Sequence, residues 1–138
     1  MQLYNLEIIL NQDETQVLMC HRSKHPYKGK FNFPGGKIEE HENHLESAYR
    51  ELFEETGITK NDVELHPFID FTWHPVSMKM DVFIGRLKNE VTLVEEVHEL
   101  HWIDINSNFF DMDKFAGEGN IGHMFEIFKI TREKIFKK

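Results

Sequence analysis

Residues 2–10 (QLYNLEIIL) and 16–22 (QVLMCHR) are apolar runs of strand length on either side of the polar turn NQDET, and they predict a pair of strands. Periodicity is then lost over residues 23–42, which are rich in Gly, Lys, Pro and aromatics. That composition predicts a long loop with a short extended piece at Phe31–Phe33, and a loop of this length inside a compact domain is usually functional. Helical spacing returns over about 44–56, where Leu45, Ala48, Tyr49 and Leu52 form one stripe. Asn43 is placed to cap this helix, Glu46 completes a capping-box pattern, and Gly57 suits the left-handed position after the last turn. Two more strands are expected over about 63–73 and 77–87. The second alternates Met78, Met80, Val82 and Ile84 against Lys79, Asp81 and Phe83. A short strand at Leu100–Ile103 and a loop at 104–120 lead to a last helix, about 121–136, with Ile121, Met124, Phe125, Phe128 and Ile135 on its apolar side. Strands interspersed with a few helices predict an α/β domain whose helices pack on a mixed sheet. No repeat or linker interrupts the pattern, so one domain over residues 1–138 is expected.

Composition narrows the function. A net charge of −8 argues against a general binder of long nucleic acid and against an anionic membrane surface. An acidic protein that takes a phosphate compound needs a metal cation or a local basic patch. The one cysteine, Cys20, lies in an apolar run, which rules out an intrachain disulfide and fits a reducing compartment. The N-terminus lacks the basic start of a signal peptide, and no apolar run is long enough to span a bilayer. The expectation is a cytoplasmic protein, monomeric or homodimeric.

The candidate chemistry lies in residues 36–58, GKIEEHENHLESAYRELFEETGI, where seven residues are acidic. On a helix, Glu51, Glu54 and Glu55 fall within an arc about 100° wide beside the apolar stripe. Like charges at that spacing repel, and two of these acids sit near the helix C-terminus, where the macrodipole disfavours anions. Two local rules broken together tend to mark function, although a solvated acidic face is the ordinary alternative. Gly35-Gly36 lets backbone approach a ligand or ion closely. Glu42 and Arg50 flank the acids and could lock them by an ion pair. Carboxylate oxygens in this number suit Mg²⁺ or Mn²⁺ bridging phosphate oxygens.

Gly36, five residues, Glu42, seven residues, then Arg50-Glu51-Leu52-Phe53-Glu54-Glu55-Thr56-Gly57-Ile58 resembles the Nudix box with every fixed position filled. The coarse element order likewise resembles the Nudix α/β/α sandwich. The resemblance implies hydrolysis of a nucleoside diphosphate linked to another group, with Glu51, Glu54, Glu55 and the Gly35 carbonyl as metal ligands. It also implies a further acid from a loop beyond the sheet. Glu96 is the choice here, with Glu95 and Glu99 as rivals. Either Glu51 or Glu54 would be the general base.

Substrate choice lies outside the box. Phe31-Asn32-Phe33-Pro34-Gly35-Gly36-Lys37 is similar to the segment before the box in MutT-like members of the family, which hydrolyse damaged purine nucleoside triphosphates. There the residue at Asn32 bonds the base, and Asn carries both a donor and an acceptor for a purine edge. Phe71, Trp73 and Met80 resemble residues that wall the base. Phe115-Ala116-Gly117-Glu118-Gly119 sits where that branch carries an aromatic followed by paired acids, and only Glu118 is acidic here. Of the basic residues near the box, Arg22 and Lys37 are the expected phosphate contacts, ahead of Lys24, Lys28 and Lys30. Other Nudix substrates stay open, among them nucleotide sugars, dinucleoside polyphosphates and RNA 5′ ends. A non-catalytic nucleotide sensor is the remaining alternative.

Overall fold

The computed structural model describes residues 1–136. Its seven strands form one mixed sheet. They are β1 (Gln2–Leu10), β2 (Gln16–His21), β3 (Phe31–Asn32), β4 (Gly35–Lys37), β5 (His66–Trp73), β6 (Met78–Arg86) and β7 (Glu99–Asp104). The path runs β3-β2-β1-β6-β5, with β4 paired to β1 and β7 to β2. β1 and β6 run parallel in continuous register from Gln2↔Met78 to Leu10↔Arg86, and β5 and β6 form an antiparallel hairpin. Two helices, α1 (His44–Thr56) and α2 (Asn120–Ile135), complete the fold.

Strand alternation sorts the core into two layers. Ile8, Leu10, Val17, Met19, Val82 and Ile84 pack with Ile121, Met124, Phe125 and Phe128 of α2. Ile9, Leu18, Cys20 and Phe83 point the other way and pack with Ala48 and Leu52 of α1. The sheet is thus covered on both faces, as an α/β/α sandwich requires.

α1 occupies its expected span. Asn43 accepts from the Glu46 N–H at 3.1 Å, and Gly57 takes φ 81° as the left-handed cap. Only half of the capping box forms, because the Glu46 carboxylate pairs with Lys60 instead. β5 starts three residues later than the apolar run suggested. Val63 makes only an isolated bridge to Leu87, and a register shift between Pro67 and Ile69 interrupts the ladder. The loop before the box holds two strands where one extended piece was expected, and β4 pairs Tyr4, Asn5 and Leu6 with Lys37, Gly36 and Gly35.

Candidate active site

α1 and β4 meet over the Nudix-like acids. Gly36 lies so close to α1 that a Cβ there would fall 1.8 Å from Glu51 Oε2. A Cβ on Gly35 would fall 2.1 Å from the Asn5 carbonyl oxygen. No side chain fits at either position without moving backbone or a carboxylate. The Gly35 N–H donates to Glu55 Oε1 at 2.8 Å. Asn5, fully buried in β1, accepts from the Gly36 N–H at 3.2 Å and donates to Ser47 Oγ at 3.0 Å. The glycines are therefore clipped both to the acids and to the first turns of α1.

Arg50 organises one side of the cluster. Its Nε donates to Glu42 Oε2 at 2.6 Å and a terminal nitrogen donates to Glu42 Oε1 at 2.9 Å, a two-pronged pairing with a fixed geometry. Its other terminal nitrogen donates to Glu54 Oε1 at 3.0 Å and lies 3.6 Å from Glu51 Oε1. The hydrogen bond from Arg50 holds the Glu42 carboxyl down at about 2. The pairing of Glu42 with Arg50 anticipated from the sequence is thus present.

The buried acids behave oppositely. Burial first, then the Glu54 and Glu55 carboxylates, push Glu51 up to about 7. Burial also raises Glu55. Glu7 of β1 is fully buried on the α1 face, with neither carboxylate oxygen hydrogen-bonded among the described residues. Burial raises it strongly, and Glu55 and Glu51 add to the effect. Glu7, Glu51, Glu54 and Glu55 are near enough to act on one another by charge, and carboxylate oxygens are the hard donors that suit a divalent cation such as Mg²⁺.

A pH dependence follows. In the folded protein these carboxyls keep their protons to higher pH than in the unfolded chain. As pH rises from the ordinary value of 4.5 towards about 7, where Glu51 titrates, the folded state binds more protons and stability falls. Thermal melts in chelator should give a higher Tm near pH 5 than near pH 8, with Mg²⁺ closing the gap and Glu7→Gln flattening the slope. A Tm that climbs steadily across that range in chelator would contradict this electrostatic picture.

Of the residues expected to supply a further ligand, Glu95 accepts from the Leu100 N–H at 2.9 Å, and Glu96 is exposed. Glu99 stands on the α2 face of the sheet, opposite Leu100 and Trp102, and pairs with His21 and His101. The side chain of this segment that reaches the acids is His98, whose Nε2 lies 3.3 Å from Glu55 Oε2. Arg22 lies near enough to Glu55 to lower its pKa, while its Nε is tied to the Pro26 carbonyl at 2.7 Å. Lys37 is exposed, and its carbonyl accepts from Arg50 at 3.2 Å.

The second feature is a cavity of about 270 Å³. Asn32, Phe71, Trp73, Met80 and Glu118 all line it, together with Tyr27 and Met124. Phe71 and Trp73 are edge-to-face at 4.4 Å. Asn32 Oδ1 accepts from the Phe33 N–H at 2.8 Å, and Nδ2 makes no protein hydrogen bond among the described residues. Glu118 is held at φ 50° between Gly117 and Gly119, both also at positive φ. The Tyr27 hydroxyl donates to both Glu118 oxygens, at 2.7 and 2.8 Å. Burial and the Glu118 carboxylate push that hydroxyl up to about 12. Asn32 lies three positions before Gly35, at most about 11 Å of extended chain, so the cavity and the acids lie within reach of one nucleotide.

Sequence reasoning passed over Glu7, Asn5, Tyr27 and His98. Glu7 carried one signal, a lone acid inside the apolar strand LEIIL.

A family model described as the NUDIX domain matches residues 4–121. An 8-oxo-dGTP diphosphatase of Buchnera aphidicola subsp. Acyrthosiphon pisum is 33% identical over 59 residues, covering 43% of this chain and 48% of that protein. An ADP-ribose pyrophosphatase of Methanocaldococcus jannaschii is 30% identical over 103 residues, 70% of this chain and 59% of that protein. The matches thus span about half of the first relative and under two thirds of the second. In fold, a solved MutT structure from work on Aliivibrio salmonicida and Vibrio cholerae aligns with 94% of this chain and 98% of its own, with TM-score 0.73 and 24% identity.

Proposed function

The chain belongs to the NUDIX family, and from that premise we propose that it is a divalent-metal-dependent pyrophosphohydrolase of purine nucleoside triphosphates, oxidised purines included. The products are the monophosphate and pyrophosphate. The observation that carries this reading is the convergence of Asn32, Phe71, Trp73, Met80 and Glu118 on one cavity, three residues of chain from Gly35. That cavity is close to the lower end of small-molecule sites, about 300 Å³, and its aromatic and thioether walls suit a flat heterocycle. Asn32 Nδ2 offers a donor and Glu118 an acceptor to the base edge.

Residues 1–138 are read as one domain. Glu51, Glu54, Glu55 and the Gly35 carbonyl would hold Mg²⁺ or Mn²⁺, with Glu96 as the expected further ligand. A cation held there would offset charge on the phosphate oxygens and lower the pKa of a bound water. Glu51 or Glu54 would take the proton of the attacking water. Arg50 and Glu42 keep Glu54 and Glu51 in place. Arg22 and Lys37 contact the phosphate chain. No described helix is long and apolar enough to cross a membrane, and the buried thiol of Cys20 suits a reducing compartment such as the cytoplasm.

A second reading is a nucleoside diphosphate linked to a larger group, favoured by the 103-residue match to an ADP-ribose pyrophosphatase. A turnover panel of oxidised dGTP, dGTP, dCTP, ADP-ribose and a dinucleoside polyphosphate separates the two. The first reading expects the purine triphosphates to lead by at least about tenfold in kcat/KM, the discrimination that one buried hydrogen bond supplies. ADP-ribose as the leading substrate would replace it with the second.

A further inference from the structure

A second cluster of metal-binding side chains lies on the opposite face of the sheet from the α1 acids. β2 and β7 pair with His21 directly across from Glu99. His101, two residues along β7, projects from the same face as Glu99. One ligand atom from each of the three residues lies within 4.8 Å of the other two. Glu99 Oε1 is 2.5 Å from His101 Nε2 and 3.6 Å from His21 Nδ1.

The His21 ring is held from behind. His21 Nε2 is 3.1 Å from the Gly29 carbonyl. A carbonyl only accepts, so Nε2 carries the proton, and in the neutral ring Nδ1 presents its lone pair towards Glu99. Phe31 stacks on His21 at 4.8 Å and 24° and meets His101 edge-on at 5.4 Å and 82°. A hydrogen bond to the far nitrogen and a packed ring are what orient a metal-binding imidazole.

We propose that His21, Glu99 and His101 form a Zn²⁺ site separate from the carboxylate cluster on α1. Two imidazoles and one carboxylate are a zinc donor set, whereas Mg²⁺ prefers oxygen ligands alone. Ligand atoms around tetrahedral zinc stand about 3.3 Å apart, which side-chain rotation reaches from the observed separations. Zn²⁺ takes the lone pair of His101 Nε2 once its proton has left to solvent and Nδ1 carries the proton of the neutral ring, and water fills the fourth position. The bound ion ties β7 to the 22–30 loop through the link from His21 to Gly29. That same loop carries Tyr27, the residue bonded to Glu118 at the base cavity.

The test uses the whole protein in excess Mg²⁺, so that the α1 acids do not compete. Zn²⁺ is titrated against a fluorescent chelator, and Co²⁺ is followed by its visible spectrum. The wild type should hold one equivalent of Zn²⁺ and give the strong absorption of four- or five-coordinate Co²⁺. His21→Ala and His101→Ala should each weaken Zn²⁺ by at least about a hundredfold, a loss at or above that seen for outer-sphere partners. Glu99→Gln should weaken it by at least about tenfold. Mg²⁺-dependent turnover should stay within about twofold in all three. Should an alanine variant fail to fold by circular dichroism, the half-exposed positions still allow His101→Gln and Glu99→Gln to carry the comparison. Zn²⁺ affinity equal in wild type and the folded variants, or complete displacement of Zn²⁺ by Mg²⁺, would overturn the proposal and leave an ordinary surface ion-pair cluster.

Discussion

Glu54→Gln and Glu51→Gln will each lower kcat on the best substrate by at least about a hundredfold, the low end for loss of general base catalysis. The fold should survive both changes. Glu54 is half exposed, and the bond it gives up is one prong from Arg50, a contact worth at most about 1 kcal/mol at a surface. Arg50 keeps its two bonds to Glu42. Glu51 is a carboxyl that burial pushes up to about 7, so a neutral amide relieves the protein in metal-free buffer. Its Tm there should match or exceed wild type. Steady-state rates and melts on the same preparations distinguish lost chemistry from lost structure. Wild-type rates in both variants would mean that the Nudix box is not the reacting centre.

The second large effect concerns selectivity. Asn32→Ala and Glu118→Ala should each shrink the preference for a purine triphosphate over dCTP by roughly ten- to a hundredfold in kcat/KM. That is the cost of leaving a buried hydrogen bond unmade, about 1–3 kcal/mol. The requirement for a divalent cation should not change, because neither side chain touches the α1 acids. Alanine at position 118 also sits at φ 50° and strands the Tyr27 hydroxyl, so its melting temperature must be read alongside. Glu118→Gln, which keeps an acceptor for Tyr27, gives the cleaner comparison. Equal loss on oxidised dGTP, dGTP and dCTP would point away from a base-reading cavity and towards recognition of the leaving group.

Features with their own local signal were legible in the sequence. α1 could be bounded at both ends because Asn43 and Gly57 are strong caps and its stripe has a clear helical period. β6 was legible because a strict period of two separates Val82 and Ile84 from Phe83, and those residues do enter different core layers. β4 was not, since Gly35-Gly36 reads as loop, and only pairing with β1 makes it a strand. The start of β5 was misplaced because Val63 and Leu65 are apolar for a different reason. They pack in the α1 layer rather than join the ladder.

The same contrast holds at the site. Glu42 and Arg50 could be paired because they lie only eight positions apart, on either side of the Asn43 cap. His98 and Tyr27 could not be placed, because their partners Glu55 and Glu118 are 43 and 91 residues away. Glu99 was a plausible partner for the α1 acids until the parity of β7 set it on the other face. That assignment depends on register with β2, which no local pattern encodes.

Metal-dependent cleavage of a purine nucleoside triphosphate should release pyrophosphate. Following the phosphorus NMR spectrum of dGTP or oxidised dGTP with the protein tests it most directly, with Mg²⁺ and then with excess EDTA. Monophosphate and pyrophosphate should appear in equal amounts with Mg²⁺, and turnover should stop once EDTA is added. Orthophosphate and a diphosphate as products, or turnover that persists in EDTA, would contradict it.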